Sequence, residues 1–526
     1  MATAERYFSR GFQVSLLAEG AVVGLIGGGV VTLYRIALSW AESTLRGALA
    51  SWAAQPFGFL ALSGAVALMM LVVGRLMLWE PCTQGSGIPQ VDAEVAGQMD
   101  MPWHRVMAAK FAEGTLTTLS GLSLGREGPA VQLGAMSGKA VSKLFRRSRG
   151  EERVLITCGA GAGMAAAFHA PLTGVMFALE EIHKVFSAPL VISVMASSVV
   201  ADFFVSGVLG VKPVLTLAFM NDIPHTAYPL VLVMGVVMGV VGALYNKGMF
   251  VAQDLFRKIP VERPYARIAI AFGLSLVMMK VAPVLLCGGD AIVEMLQTPA
   301  RDYLPLVIAV LLGKYAFTTI CFGSGAPGGT LLPLVVMGAL TGYAFGGIAG
   351  AVTGMPIHYA MNFLVLGITG LFASSVRAPV TAIILTFELT GSLDSMLAAT
   401  VVSICSYLVA NLMKVDPYYE HLLAGILGVS TSDERITHAA SGSKIIHTHM
   451  VETGSPIEGK RVADIAWPQG TLVVTITRGG KEIVPRGVTK IQAQDRLLVI
   501  MDLANEDQSE GVIRELCRSG LGLRGR

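Results

Sequence analysis

The chain has 526 residues, of which 53% are apolar and only 14% charged, with a mean hydropathy of +0.63. Soluble globular proteins are about 25% charged, so the composition excludes a soluble fold for most of the length and indicates an integral membrane protein. A net charge of +3 is too small to suggest a nucleic-acid polymer as a partner.

The first residues, MATAERYFSRGF, are polar, and the apolar run after them outlasts a signal-peptide core, so no cleavable leader is expected. Apolar runs then occupy roughly 12–40, 57–79, 104–122, 152–182, 188–210, 228–252, 265–286, 303–322, 330–352, 359–375, 379–391 and 396–413. A straight helix needs about 20 apolar residues to cross a bilayer, and several runs are shorter. Others are cut by glycine or proline, as at Gly125–Pro129, Pro171, Pro333 and Pro379. Broken helices at membrane depth persist only where their backbone is buried in protein or lines a cavity. The pattern therefore predicts a channel or transporter whose ion site is built from helix ends. GSGIP (85–89) and GSGAP (323–327) nearly repeat one another, which predicts an internal repeat with GSGAP as the second-half partner of GSGIP. Whether the repeat is parallel or inverted is left open at this point.

Of the 75 charged residues, 25 lie in 427–526, and that step marks a boundary. Residues 426–443 read as a linker, and a small α+β domain follows over 444–505. Its strand-like runs are KIIHTHMV, TLVVTITRGG and RLLVIMD, with a short helix expected in EGKRVADIAW. A tail over 506–526 begins as a helix and ends basic. The six cysteines show no C-x-x-C spacing and are expected to be reduced core residues.

The chemistry concentrates at helix starts. In LSLGREGPAVQL, Gly125, Arg126, Glu127, Gly128 and Pro129 open an apolar helix. Proline suits a first turn, and the unpaired N–H groups there attract anions, helped by the macrodipole. Glu127 can occupy such a site itself as a tethered anion, and protonation would free the site for a mobile one. The alternative is a structural glutamate, or one paired with Arg126. GSGIP offers a second start, with Ser86 as hydroxyl donor and Gly87 allowing close backbone approach. GGTLLP, with Thr330, Leu331 and Pro333, is a third. DPYYEHLL, with Pro417 and the tyrosines Tyr418 and Tyr419, is a fourth. Donors without a full cation suit an anion that must also leave quickly.

GSGIP, GREGP, GSGAPGG-x-x-x-P and the late tyrosine, in this order, resemble the CLC family of chloride channels and chloride/proton antiporters over roughly 10–425. The resemblance implies an all-α polytopic fold with an inverted repeat of broken helices (about 12–210 and 228–425). It also implies a homodimer with one pore per subunit and both termini cytoplasmic. By resemblance, Ser86, Tyr419 and the backbone N–H groups of Thr330 and Leu331 bind chloride, with Gly87, Arg126 and Gly128 around them. Glu127 is the external gating glutamate. Tyr418 is the runner-up to Tyr419, since the family pattern is Pro-x-Tyr. Leu331 stands where the family usually has phenylalanine, which bears on pore width. The intact GREGP and Ser86 argue against the fluoride-exporting branch.

Family members that exchange protons carry a second glutamate in the region matching TGVMFALEEIHKVF. The resemblance assigns that role to Glu181, with Glu180 facing water or a partner; two interfacial helix-end glutamates are the plainer alternative. Asp92 and Lys110 are expected to pair as a buried salt bridge. Glu113, in a position where the family tends to have a small residue, is expected to bond threonine hydroxyls or to face a water pocket. The tail from 454 to 502 resembles the C-terminal subdomain of regulators of potassium conductance (RCK_C, TrkA-C). That resemblance implies a dimerising sensor for a nucleotide or cyclic dinucleotide, or a dimer-stabilising appendage without ligand. His447 and His449 alternate on one strand face, where ordinary strand roles are preferred over metal. Chloride and protons are thus the expected cargo, the bilayer and a second copy the expected partners, and no resident cofactor is expected. A passive chloride channel is the alternative. A potassium uptake subunit needs a carbonyl filter that is absent from the sequence, and no hydrolase or phosphate-loop motif suggests an enzyme.

Overall fold

The computed structural model describes residues 10–52, 55–211, 219, 223–260, 264–296, 304–354, 359–428, 444–478, 481–502 and 506–518. The predicted linker, from 429 on, and residues 519–526 of the tail lie outside them. The chain divides into two compact units, Met1–Ile426 and Leu427–Arg526.

The first unit is helical. Its first eight helices are α1 (Arg10–Trp52), α2 (Pro56–Trp79), α3 (Ile88–Ala96), α4 (Trp103–Leu119), α5 (Glu127–Leu144), α6 (Arg149–Phe168), α7 (Pro171–Phe177) and α8 (Ala188–Leu209). A π-helical turn, Ala178–His183, extends α7. Then come α9 (Tyr228–Arg257), α10 (Pro264–Val281), α11 (Asp290–Leu296), α12 (Leu304–Gly323), α13 (Leu331–Thr353), α14 (Tyr359–Val376), α15 (Pro379–Thr390), α16 (Ser395–Leu412) and α17 (Tyr418–Leu427). Eight helices among the described residues are long and apolar enough to cross a membrane. Outward-facing Phe57, Leu60, Phe203 and Leu312 give these helices an apolar exterior, one that a bilayer or a partner subunit would cover.

The unit is built twice. The most extensive helix contacts include α5 with α6 and α1 with α8, and the same pairs recur eight helices later as α13 with α14 and α9 with α16. The second copy is inverted. Glu180, just past α7, accepts hydrogen bonds from the N–H groups of Val380 (3.2 Å) and Thr381 (2.8 Å) at the start of α15. Glu388, near the end of α15, accepts them from Leu172 (2.8 Å) and Thr173 (2.7 Å) at the start of α7. Two equivalent helices that cap each other's N-termini must run antiparallel. Where the halves meet, Gly125 and Gly329 exchange both backbone hydrogen bonds, at 2.6 and 2.8 Å.

GSGAP is not the repeat partner of GSGIP. GSGIP lies between α2 and α4 and opens α3, whereas GSGAP lies between α12 and α13, the place that 119–124 holds in the first half. The position equivalent to GSGIP is the 287–290 stretch that opens α11. The similar letters instead meet in space: the Gly85 N–H donates to the Gly325 carbonyl (3.2 Å) and the Gly328 N–H to the Gly85 carbonyl (3.0 Å).

Glycine sets the spacing of the paired helices. A Cβ on Gly134 of α5 would stand 2.2 Å from the Gly159 carbonyl oxygen of α6, and one on Gly163 would stand 2.2 Å from that of Ala130. Small residues four apart permit such approach between membrane helices, and Gly338 and Gly342 of α13 do the same against α14.

The second unit holds four antiparallel strands, β1 (Lys444–Met450), β2 (Leu472–Arg478), β3 (Lys481–Ile483) and β4 (Arg496–Asp502), in the order β1-β4-β2-β3. A bulge between Val473 and Thr475 breaks the β2–β4 register. Helix α18 (Glu506–Cys517) brings Ile513 and Cys517 into a core with Ile476, Leu497, Val499 and Met501. The helix expected in EGKRVADIAW is a single 3-10 turn, Val462–Asp464, because the chain becomes extended at Ile465, which joins the same core. All six cysteines are free.

Replacing Gly134 with leucine should separate α5 from α6. The cost is about 1–3 kcal/mol or more, read as a lower unfolding temperature of the purified protein in detergent, with Gly47→Leu, at a site with open space, as the unaffected control.

Candidate anion and proton site

Several helix starts converge around the Gly125–Gly329 pair. Gly87 precedes α3 at φ 96°, a left-handed conformation that favours glycine, and a Cβ there would also stand 2.5 Å from Gln132 Oε1. Its neighbour Ser86 is buried and its hydroxyl has no protein partner. Gly128, in the first turn of α5, packs directly on that hydroxyl, since a Cβ on Gly128 would lie 2.4 Å from Ser86 Oγ. Helix α13 begins at Leu331 with Thr330 as its N-cap. At the start of α17, both Tyr418 and Tyr419 are buried, and neither hydroxyl makes a well-formed hydrogen bond to protein, although both lie near the Thr330 side chain. Buried polar groups are normally hydrogen-bonded. Buried hydroxyls without well-formed hydrogen bonds to protein, beside helix N-termini, form a donor set suited to an anion.

Glu127 is the first residue of α5. Its Oε2 accepts a hydrogen bond from the Leu332 N–H at 3.2 Å, so the carboxylate rests on the start of α13. Its Oε1 has no hydrogen-bond partner and lies 3.8 Å from Arg126 Nε. The Arg126 guanidinium also reaches Asp290 of α11, with Nη2 3.8 Å from Oδ1, so it is shared between two carboxylates.

Glu181 is buried with one oxygen unpartnered. Glu127 and Glu181 both act electrostatically on Tyr419, whose ring stands edge-on to Phe177 at 6.4 Å. Tyr418 instead packs among Tyr245, Phe250 and Phe322. Glu180 does not simply face water: besides the two backbone donors of α15, it accepts from the Thr381 hydroxyl at 2.7 Å.

The expected Asp92–Lys110 salt bridge is absent. The Lys110 ammonium donates instead to the carbonyls of Thr83 and Gly85, both at 2.7 Å, while Asp92 faces Lys184 at 3.3 Å. The physical reason is that the chain leaving α2 turns its carbonyls toward α4, and a buried ammonium satisfies them. Lys314 does the same in the second half, donating to Leu285 (3.0 Å) and Cys287 (2.7 Å). Glu113 lies one turn beyond Lys110, fully buried, and accepts from the Thr83 hydroxyl at 3.1 Å. It therefore helps anchor the segment leading into GSGIP.

Sequence reasoning missed Glu388, Lys314, Lys184 and Glu420. Two of these had a visible signal. P-x-T followed seven residues later by glutamate occurs at 171–180 and again at 379–388, and Lys110 and Lys314 each precede the paired glycine by fifteen residues. In the second unit, His447 and His449 stack with ring centroids 6.1 Å apart, and no group of three metal-ligating side chains exists among the described residues.

An inverted pair of helical repeats whose broken ends converge on buried hydroxyls and a carboxylate defines a membrane protein with a central anion site. The family model for voltage gated chloride channels matches residues 65–411, and that for the TrkA-C domain matches 446–509. The chain belongs to the voltage gated chloride channel (CLC) family and carries a C-terminal TrkA-C domain. It is 32% identical to the H(+)/Cl(-) exchange transporter ClcA of Vibrio campbellii, over 80% of this chain and 92% of the relative. It is 30% identical to the protein of the same name from Salmonella agona, over 80% and 90%. Among solved structures it resembles a slow cyanobacterial Cl-/H+ antiporter, with a TM-score of 0.74, 28% identity, and coverage of 78% of this chain and 98% of that one.

Glu388→Ala should leave the donors at the start of α7 without their carboxylate and cost about 1–3 kcal/mol. Thermal unfolding in detergent checks this, with Glu388→Gln retaining part of the loss.

Proposed function

We propose that this protein exchanges chloride for protons across a membrane, in preference to conducting chloride passively. The observation that carries the reading is the Glu127 carboxylate held on the Leu332 N–H at 3.2 Å, a tethered anion on a helix start beside Ser86. Chloride and ionised Glu127 compete for the same positive field. A proton on Glu127 removes its charge and releases the position to chloride. The hydroxyls of Ser86 and Tyr419 and the backbone N–H groups of Thr330 and Leu331 take the chloride. Gly87 and Gly128 keep the surrounding backbone close, and Arg126 adds a positive charge already offset by Asp290. Because that charge is offset, the ion is held without a dedicated counter-cation and leaves readily. Tyr419 is preferred to Tyr418 because it lies where both Glu127 and Glu181 act.

Glu181 exchanges the proton with the inside. Glu180 takes no part, since its carboxylate is engaged at the start of α15. The similarity to exchangers named for protons and chloride supports the antiporter reading. The same reading makes the working unit a homodimer in a cellular membrane with both termini cytoplasmic. The TrkA-C domain acts as its sensor, with a nucleotide or cyclic dinucleotide as the ligand class. No catalytic chemistry and no resident cofactor are assigned.

Paired chloride and pH recordings on proteoliposomes test the proposal. A chloride gradient should drive protons in the opposite direction, and Glu181→Gln should abolish the proton movement while chloride still flows. Glu127→Gln should do the same and remove the rise in chloride turnover as pH falls. Ser86→Ala and Tyr419→Phe should each weaken apparent chloride affinity by roughly 2- to 10-fold, the worth of one hydrogen bond. Chloride flow without proton movement in the unaltered protein would replace the antiporter by a channel.

A further inference from the structure

The π-helical turn ends at Lys184, which adopts a left-handed conformation with φ 55°. Its ammonium is where carboxylates from separate elements meet. Nζ lies 3.3 Å from Asp92 Oδ2 on α3 and 3.5 Å from Glu420 Oε1 on α17. It is also the cation that acts on Glu181, against the charges of Asp92, Glu420 and Glu180. Tyr419, on α17, lies within electrostatic reach of Glu181. On the α6 side, His183 is hydrogen-bonded to Thr157 at 2.9 Å and feels Arg153.

The cluster is graded in exposure. Glu181 is 5% and Asp92 6% exposed, while the side chains of Lys184 and Glu420 are 39% and 44% exposed. It therefore leads from a buried carboxylate with an unpartnered oxygen to a carboxylate in water. Both flanking carboxylates ride on helices whose first residues belong to the anion site: α3 follows Ser86, and α17 starts at Tyr418 and Tyr419.

We infer that Lys184 and Glu420 form the inner port through which Glu181 exchanges its proton with the water inside. The inference rests on the antiporter reading above. In the outward step the Glu181 O–H bond breaks and its proton passes along hydrogen-bonded water to the Glu420 carboxylate. An O–H bond forms there, and the proton is then released to solvent; no electrons are transferred. Lys184 is a positioning residue. Its single ammonium serves Asp92, Glu181 and Glu420, compensating the charge that appears when Glu181 deprotonates. Without that ammonium the remaining carboxylates repel the new charge, and Glu181 keeps its proton to higher pH.

The test uses full-length protein in liposomes, with proton flux driven by a fixed chloride gradient while internal pH is varied. Lys184→Met should move the midpoint of the internal-pH profile about one unit to higher pH, and Lys184→Arg should restore it. Glu420→Gln should move the midpoint the opposite way and lower the maximal proton flux. Opposite shifts from removing a cation and a carboxylate are not produced by a structural role alone. Elution as a single peak on size exclusion shows that each variant has folded. Should Lys184→Met misfold, the Lys184→Arg and Glu420→Gln pair decides. If the unaltered protein couples protons to chloride and Glu181→Gln uncouples them, yet the Glu420→Gln profile overlays the unaltered one, the port is overturned and the antiporter reading stands. If the unaltered protein moves no protons, the antiporter reading itself falls and takes the port with it.

Discussion

The pair of backbone hydrogen bonds between Gly125 and Gly329 is the constraint on which the rest of the structure depends. It ties the start of α5 to the start of α13 across the axis of the inverted repeat. Two helix N-termini held face to face leave polar N–H groups at the centre of an apolar body, where water cannot satisfy them cheaply. Such groups persist only with a partner, and the one the chain itself supplies is the Glu127 carboxylate on the Leu332 N–H. Pro129 and Pro333, each the third residue of its helix, reduce the number of unpaired donors without closing the helix ends. The remaining donors and the side-chain hydroxyls of Ser86 and Tyr419 then form a field that is positive without a dedicated cation.

The same inverted symmetry explains where glutamates go. Glu180 and Glu388 occupy equivalent positions and cap each other's helices, so both carboxylates are consumed by architecture. Glu127 and Glu181 have no such mates. Position 331, the repeat equivalent of Glu127 counted from the paired glycine, is leucine, and position 389, the equivalent of Glu181, is also leucine. The residues assigned to proton handling are thus among those that differ between the halves, while the capping glutamates and the carbonyl-binding lysines are shared by both. Lys110 and Lys314 fit this division, each neutralising two carbonyls of a loop that leaves an apolar helix.

Much of this was legible in the sequence because a helix break inside an apolar run needs glycine or proline, and those residues are visible. The starts at Ser86, Glu127, Leu331 and Tyr418 are legible from such breaks, as is the placing of Glu127 at a helix start. What could not be read was partner choice for buried charges. Asp92 and Lys110 invite pairing because both are ionisable, yet carbonyl oxygens satisfy an ammonium equally well, and every residue carries one. Lettering also misled: GSGIP and GSGAP are alike because both must bring backbone close to the same centre, and this likeness hid the true repeat, which the spaced glutamates at 180 and 388 reveal. The turn that separates Glu180 from Glu181 is π-helical, a local widening common at functional sites that no simple periodicity announces.

A coupled exchanger needs a proton step that knows whether chloride is present. Helices α3 and α17 supply a rigid means. Each begins beside a buried hydroxyl proposed for the anion and carries, within two turns, a carboxylate paired with Lys184. On the proposed reading, chloride taken by Ser86 and Tyr419 would draw on the N-termini of both helices, and a small shift of either would change the separation between Lys184 and its carboxylates. Electrostatic energy in a weakly screened interior varies steeply with distance, so a sub-ångström movement is enough to alter how firmly Glu181 holds its proton. Coupling of this kind would require no long relay between the two ions, because the helices proposed to hold the anion also carry the carboxylates of the proposed proton port.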